Sequence, residues 1–379
     1  MYYIDHEEVK AVEKVISEQS FFRYRAEGLG ECENFEKEFA KSLGAEHAQM
    51  VTSGTNALMA ALKACGVQPG DEVLIPCYTF VATAVSVINV GAIPVLCNID
   101  ESLSLCVNDI KLKLTPKTKA IIPVHMDGLN CKMDDICAIA KEKNLIVIED
   151  VAQALGGKYQ GKYLGTWGDI GCFSFNQDKV LSCGEGGACI TNDRILYERL
   201  LCIHDTSSLF NPIYKNKFKN IKPFMGMSMR VSEISGAIMR IQLKRLEKIQ
   251  KELRQRQDIF KKTLKGSTAF SLIIPHDQEG DCCTSLLFKF LDPKKMLEVS
   301  KTLNTEKIYN LPISARPAHS FWNWKELLID SGVQKKNLHP ALFLESIDLI
   351  MQVLKIEIDI HLSLEETQKM ADNILEMTK

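Results

Sequence analysis

The sequence predicts an α/β protein with a mostly parallel central sheet and a smaller α+β domain at the C-terminal end. Three observations predict it. Short apolar runs alternate with segments of helical period over roughly residues 12–240. Those runs are continuous enough to be strands covered on both faces. From Ile241 the texture changes to a long charged helix, then to isolated strand and helix patterns.

Taken in order, "EEVKAVEKVISEQ" and "ENFEKEFAKSLG" have helical period, and the second stops at Gly44, a C-cap glycine. "HAQMVTSG" reads as a strand and turn, and "TNALMAALKACG" as a helix. "DEVLIP" is a strand, "TFVATAVSVINVG" a helix and "IPVLCNID" a strand. "AIIPVHM" follows, then helix "MDDICAIAKEKN" and strands "LIVIED", "GCFSF" and "ACITND". "LKRLEKIQKELRQRQDIFKKTLKG" is one long connector helix, "SLLFKFLD" a strand, and the last segment a strand and terminal helix. The expected division is a large domain over 1–245 and a small one over 246–379, with the N-terminal helix packing on the small domain. Residues 207–222 read as a mobile loop.

The bulk numbers exclude several classes. The 379 residues are too many for one ordinary core. A formal net charge of −2 without like-charged blocks argues against a nucleic-acid surface or membrane tether. No apolar run is long enough to span a bilayer, and "MYYIDHEEVKAVEKVI" lacks a signal peptide's apolar core, so a cytoplasmic protein is expected. Thirteen irregularly spaced cysteines without Cys-x-x-Cys fit neither zinc ligation nor a disulfide framework. Most read as small buried hydrophobes, with Cys183 the one to watch.

Ligands of open α/β sheets bind at the carboxyl ends of strands. In "VTSGTNAL", Ser53, Gly54 and Thr55 stand where a strand becomes a helix. The turn is either an anion site of free N–H groups or a simple N-cap. In "LIVIEDVAQALG", Glu149 and Asp150 follow an apolar strand, and Gln153 comes one helical turn later. Asp150 either caps that helix or faces a protonated ring nitrogen. Phe80 in "CYTFVATA" suits either core packing or stacking on a flat ring. Ser174 in "FSFNQDK" faces opposite to Phe173 and Phe175, so its hydroxyl can reach a phosphate. Lys179 lies between this strand and "GEGG", whose Gly184, Gly186 and Gly187 permit a tight turn. Anion turn, aromatic, carboxylate and glycine-flanked lysine, in that order, describe a pocket for pyridoxal 5'-phosphate (PLP) with Lys179 as Schiff-base lysine.

The chain resembles the DegT/DnrJ/EryC1/StrS family of PLP-dependent sugar aminotransferases. The motifs that carry the resemblance run over nearly the whole length: "TSGTNAL", "YTFVATA", "GAIPV", "TPKTKAIIPVHMDG", "IEDVAQALG", "LGTWGDIGCFSF", "DKVLSCGEGGACITND" and "GMSMRVSEISGAIMRIQL". The resemblance implies the type I (aspartate) aminotransferase fold and is closest to members acting on oxo-sugars, including the 8-amino-3,8-dideoxy-octulosonate transaminase branch. It implies that Lys179 holds PLP and shuttles protons. Asp150 pairs with the pyridinium nitrogen and Gln153 contacts the phenolic oxygen. Phe80 stacks on the ring, while Gly54, Thr55 and Ser174 bind the phosphate. It further implies homodimers with shared active sites, a keto-sugar acceptor, and glutamate or glutamine as donor. Relatives send an asparagine of a Gly-x-Asn-x-Arg motif to the partner's phosphate. Here Ser228 stands at that place, making the contact shorter or absent, and Arg230 remains for the donor carboxylate, the dimer or a structural ion pair. His319 in "SARPAHSFWNW" matches a region bordering the acceptor, and Arg23, Tyr24 and Arg25 match a substrate-contacting segment. In related dehydratases a histidine replaces the Schiff-base lysine, so Lys179 favours transfer over dehydration, and the intact lysine, aspartate and phosphate turn favour both over a non-catalytic regulator.

Overall fold

A computed structural model describes residues 2–24, 30–214, 217–305 and 310–378. The large sheet has seven strands: β1 (His47–Val51), β2 (Glu72–Pro76), β3 (Ile93–Cys97), β4 (Thr118–Ile121), β5 (Ile146–Asp150), β8 (Ile170–Ser174) and β9 (Gly187–Thr191). A small antiparallel hairpin, β6 (Lys158–Tyr159) and β7 (Lys162–Tyr163), stands apart. The order across the large sheet is β1-β9-β8-β5-β4-β2-β3. β2, β3, β4, β5 and β8 run parallel, and β9 is antiparallel to both of its neighbours. The reversal has a local cause: β8 and β9 are joined by a loop with no crossover helix, so the chain returns alongside itself.

Apolar runs make these strands because both faces are covered. Val73 and Ile75 enter one core while Leu74 between them enters the other. The helix Glu31–Leu43 is built around Phe35 and Phe39, four apart and stacked at 5.2 Å. Phe39 meets Phe173 edge-on at 5.1 Å, and Phe35 meets Phe175 at 5.5 Å. That cluster pins the end of β8 and hence the start of the loop carrying Lys179.

The smaller sheet is antiparallel, in the order β10 (Phe270–Leu272), β11 (Ser285–Phe290), β13 (Val353–Glu357) and β12 (Asn310–Pro312). Three expectations need correction. The charged connector is two helices, Glu233–Lys244 and Leu246–Leu264, meeting at Arg245. The N-terminal helix His6–Ser17 packs on Glu233–Lys244 and not on the small sheet. No helix follows Asp150: residues 151–157 are turns, so Gln153 is not placed by helical period. Among the described residues, no helix is long and apolar enough to cross a membrane.

Candidate active site

The carboxyl ends of β1, β2, β5 and β8 open into a cleft of about 980 Å³ between the two sheets. Its floor comes from the large sheet. Its far wall comes from residues 311–319 and β13 of the small one. Residues 78–81 and 318–320 fasten the two sides together: Thr79 N–H donates to His319 O at 3.0 Å, Val81 N–H donates to Ala318 O at 2.7 Å, and Tyr78 pairs with Ser320.

Asp150 ends β5 and is buried at the cleft floor. It accepts from Thr83 Oγ1 at 3.0 Å and from Ala152 N–H at 3.1 Å. Burial raises its carboxyl above the usual range, and those donors with nearby Lys179 only partly oppose it. A carboxylate in that state gains from a protonated ring nitrogen. The preceding Glu149 points the other way, as alternation along a strand requires. It accepts from the N–H groups of Gly165, Trp167 and Gly168 at 2.8, 2.7 and 2.7 Å, and lies 3.2 Å from His125 Nε2. Cys131 N–H donates to His125 Nδ1 at 3.1 Å, so the proton of this ring sits on Nε2, toward Glu149. Glu149 is thus a structural anchor behind the floor.

Lys179 stands in the loop after β8. Phe175 N–H to Gly186 O at 2.8 Å and Cys183 N–H to Phe175 O at 3.1 Å close this loop, and Gly184 turns it at φ +87°. Its amine lines the cleft, and among the described residues no carboxylate lies within ion-pair distance of it. Burial pushes the amine below the ordinary lysine range; Asp150 opposes this, while Lys355 and Arg316 add to it. Cys183 lies outside the cleft lining, its thiol pushed up to about 12 by burial.

At the other end, Ser53 caps the helix Gly54–Ala64 by accepting from Asn56 N–H at 3.1 Å. The cap leaves the first-turn N–H groups of Gly54 and Thr55 without intrahelical acceptors, at the positive end of the helix dipole. A Cβ on Gly54 would stand 2.8 Å from Ser174 Cβ, so glycine is what lets helix and strand end meet in one cradle. Phe80 is 45% exposed on the wall, tilted against the His319 ring at 5.3 Å, beside Asp150's partner Thr83. Cradle, ring face, buried carboxylate and unpaired lysine fit PLP.

The family description for the DegT/DnrJ/EryC1/StrS aminotransferase family matches residues 2–374. The chain belongs to that family. It is 35% identical over 297 residues to the GDP-perosamine synthase of Escherichia coli O157:H7, covering 76% of this chain and 78% of the relative. It is 39% identical over 213 residues, 56% of each chain, to the UDP-N-acetyl-3-dehydro-alpha-D-glucosamine 3-aminotransferase of Acidithiobacillus ferrooxidans. The solved aminotransferase from Psychrobacter cryohalolentis superposes with a TM-score of 0.85 at 27% identity, covering 100% and 99% of the two chains. The protein is a DegT-family aminotransferase of the PLP-dependent type I fold.

The aminotransferase brings Lys179, Asp150, Gly54, Thr55, Phe80, Gln153, Ser174 and His319 into one cleft. Gln153 Oε1 accepts from Asp127 N–H at 3.1 Å. The other candidates do not line this cleft. Arg23 is buried in an ion pair with Glu36 at 2.5 Å, and Tyr24 bonds His204 Nε2. Arg230 pairs with Asp205, the structural alternative its sequence left open. Ser228 is exposed outside the cleft, and Arg25 lies outside the described residues. Sequence reasoning missed Thr83, Tyr78, Asp127, Arg316 and Lys355. Tyr78 and Thr83 lie in "YTFVATA", Asp127 in "TPKTKAIIPVHMDG" and Arg316 in "SARPAHSFWNW", but only a cleft assembled from distant segments shows that these side chains converge with Lys355.

Proposed function

We propose that this aminotransferase passes an amino group from glutamate or glutamine to a ketone on a sugar, either nucleotide-linked or a free keto-sugar acid. The observation that carries it is Lys179: a largely buried amine without an ion-pair partner, its pKa depressed, in the same cleft as a buried carboxylate. When bound, PLP supplies a ring that withdraws electrons from the carbon bearing the amine. Asp150, oriented by Thr83, would keep a proton on the ring nitrogen. Phe80 would cover the ring, and Gln153 would contact its phenolic oxygen. Ser174 and the first turn of Gly54–Ala64 would hold the phosphate. Lys179 Nζ, held below the ordinary lysine range by burial, would accept and return the proton.

Similarity to a perosamine synthase and to a sugar 3-aminotransferase supports a keto-sugar acceptor, and a cleft of about 980 Å³ leaves room for one. The dehydratase alternative, which the family resemblance ties to a histidine at this position, is disfavoured by Lys179. We further propose a cytoplasmic homodimer. Thirteen free thiols suit a reducing compartment. Phe22, Phe210 and Met225 are exposed by 59%, 78% and 73%, and Ser228 is exposed outside its own cleft, a surface that a second copy could cover. The test loads the purified protein with PLP, adds glutamate, and then offers a panel of nucleotide-linked and free keto-sugars. An aminated sugar in the mass spectrum is expected from one acceptor class. Conversion by glutamate with no sugar ever aminated would contradict the acceptor assignment.

A further inference from the structure

The neck of the loop that carries Lys179 is closed by a side-chain pair that the functions above do not use. β8 and β9 pair with Ser174 opposite Gly187. The ladder runs on for one more backbone bond, Phe175 N–H to Gly186 O at 2.8 Å. The same register brings Asn176 opposite Glu185, and there side chains take over: Asn176 Nδ2 donates to Glu185 Oε1 at 3.0 Å. Residues 177–184, Lys179 among them, lie beyond this clamp. Strand alternation turns Asn176 to the same side as Ser174, while Phe173 and Phe175 enter the core. Ser174, Asn176, Lys179 and Glu185 all line the cleft.

Each of the four polar groups of Asn176 has a contact. Its C=O accepts from Lys179 N–H at 3.1 Å, and its Oδ1 accepts from Asp178 N–H at 3.2 Å. Its own N–H donates to Ser174 Oγ over a long 3.4 Å, which leaves the Ser174 proton free for a phosphate. Its Nδ2 makes the clamp. Asn176 therefore bonds both to the serine at the phosphate end of the cleft and to the backbone of Lys179. On the far side of Lys179 the chain has a different anchor: Val180 and Leu181 are buried in the core. Glu185 is exposed and Asn176 half-buried, so the clamp contributes little to stability. With the apolar anchor intact, loss of the clamp leaves the fold standing and frees only the near side of Lys179.

We propose that Asn176, held by Glu185, is a positioning residue for amino transfer: it fixes the Lys179 backbone relative to Ser174 and so sets where the Lys179 amine can reach. The inference rests on the aminotransferase reading. Lys179 has two tasks in it. While the amine is joined to the cofactor, the covalent bond itself holds the amine in place. Once the donor's amine has replaced it, only the loop keeps the freed Lys179 amine within reach of the proton it moves. Loss of the clamp should therefore cost little in cofactor loading and much in the rate of transfer.

The test follows glutamate-driven conversion of the PLP-loaded protein by its visible absorbance. It reads the rate at saturating glutamate and the glutamate concentration that gives half that rate. In Asn176→Ser the hydroxyl can keep the Asp178 N–H but cannot span to Glu185. The rate should fall roughly ten- to hundredfold, the effect of a reacting group misplaced by about an ångström. The half-saturating concentration should stay within about twofold of wild type, because no contact to the donor is removed. Glu185→Ala breaks the same bond from the other strand and changes no residue next to Lys179 in sequence. It should show the same loss, and the double variant no more than either single change. Glu185→Gln keeps an acceptor for the Asn176 amide and should recover most of the rate. A role in stability alone would lower the urea midpoint and leave the rate untouched. A folded, PLP-loaded Asn176→Ser protein that converts at the wild-type rate therefore overturns the inference, as does a double variant in which the two losses multiply. A wild type that glutamate never converts refutes the parent reading instead, and is recognised before any variant is made.

Discussion

Asp150→Asn separates a cofactor partner from a mere turn-former, because the two roles predict opposite signs. Asparagine has the same size. Its Oδ1 can keep the Ala152 N–H, and its Nδ2 can donate to Thr83 Oγ1, whose proton is free to turn toward Thr79 Oγ1 at 2.8 Å. The local hydrogen bonds therefore survive. What is lost is a buried negative charge with its pKa raised, chiefly by burial. A carboxyl raised in the folded state stabilises the apo-protein at low pH, and that contribution is lost as pH rises through the folded value. At pH 8 the apo-variant should thus be as stable as wild type or more so, and the difference should shrink on acidification. Cofactor binding should change the other way. A hydrogen bond from a charged donor contributes about 1.5–3 kcal/mol, so the PLP dissociation constant should rise roughly 10- to 150-fold. Urea unfolding of the apo-protein at several pH values and PLP titration by absorbance measure both. An apo-variant destabilised by about 2 kcal/mol, the size of a lost cap, with unchanged PLP affinity, would refute the reasoning.

Two further outcomes follow from the geometry. Gly54→Ala places a methyl 2.8 Å from Ser174 Cβ, forcing cradle and strand apart; PLP affinity should fall by an amount equivalent to about 1–3 kcal/mol, and unchanged affinity in the titration would remove Gly54 from the phosphate site. Glu149→Ala strands three backbone donors and His125 in the interior, so urea unfolding should show a loss of about 3–5 kcal/mol, with the PLP spectrum retained at low denaturant; a loss under about 1 kcal/mol would contradict its anchoring role.

Much of the cleft floor was legible because its residues sit at strand ends, where chain order and apolar runs locate them: Ser53–Thr55 after β1, Asp150 closing β5, Ser174 closing β8. The alternation that turns Ser174 away from Phe173 and Phe175 also holds, since both rings lie in the core and the serine lines the cleft. The far wall was not legible. Arg316 and Lys355 reach Asp127 across separations of 189 and 228 residues, and such pairings leave no local period. The antiparallel β9 was hidden because its sequence looks like any buried strand; only the missing crossover helix betrays it. Arg23 and Tyr24 were read by position alone, and the interior partners Glu36 and His204 that claim their polar groups are non-local too.

The central claim is that Lys179 carries the cofactor in a cleft that exchanges amino groups. Borohydride reduction of the PLP-loaded protein, before and after glutamate, followed by peptide mass spectrometry, tests it most directly. Before glutamate, the cofactor's mass should be fixed on the peptide containing Lys179 and on no other. After glutamate, that labelling should disappear, with the cofactor recovered in its aminated form. Label on a different lysine, or labelling of Lys179 that glutamate never diminishes, would contradict the account.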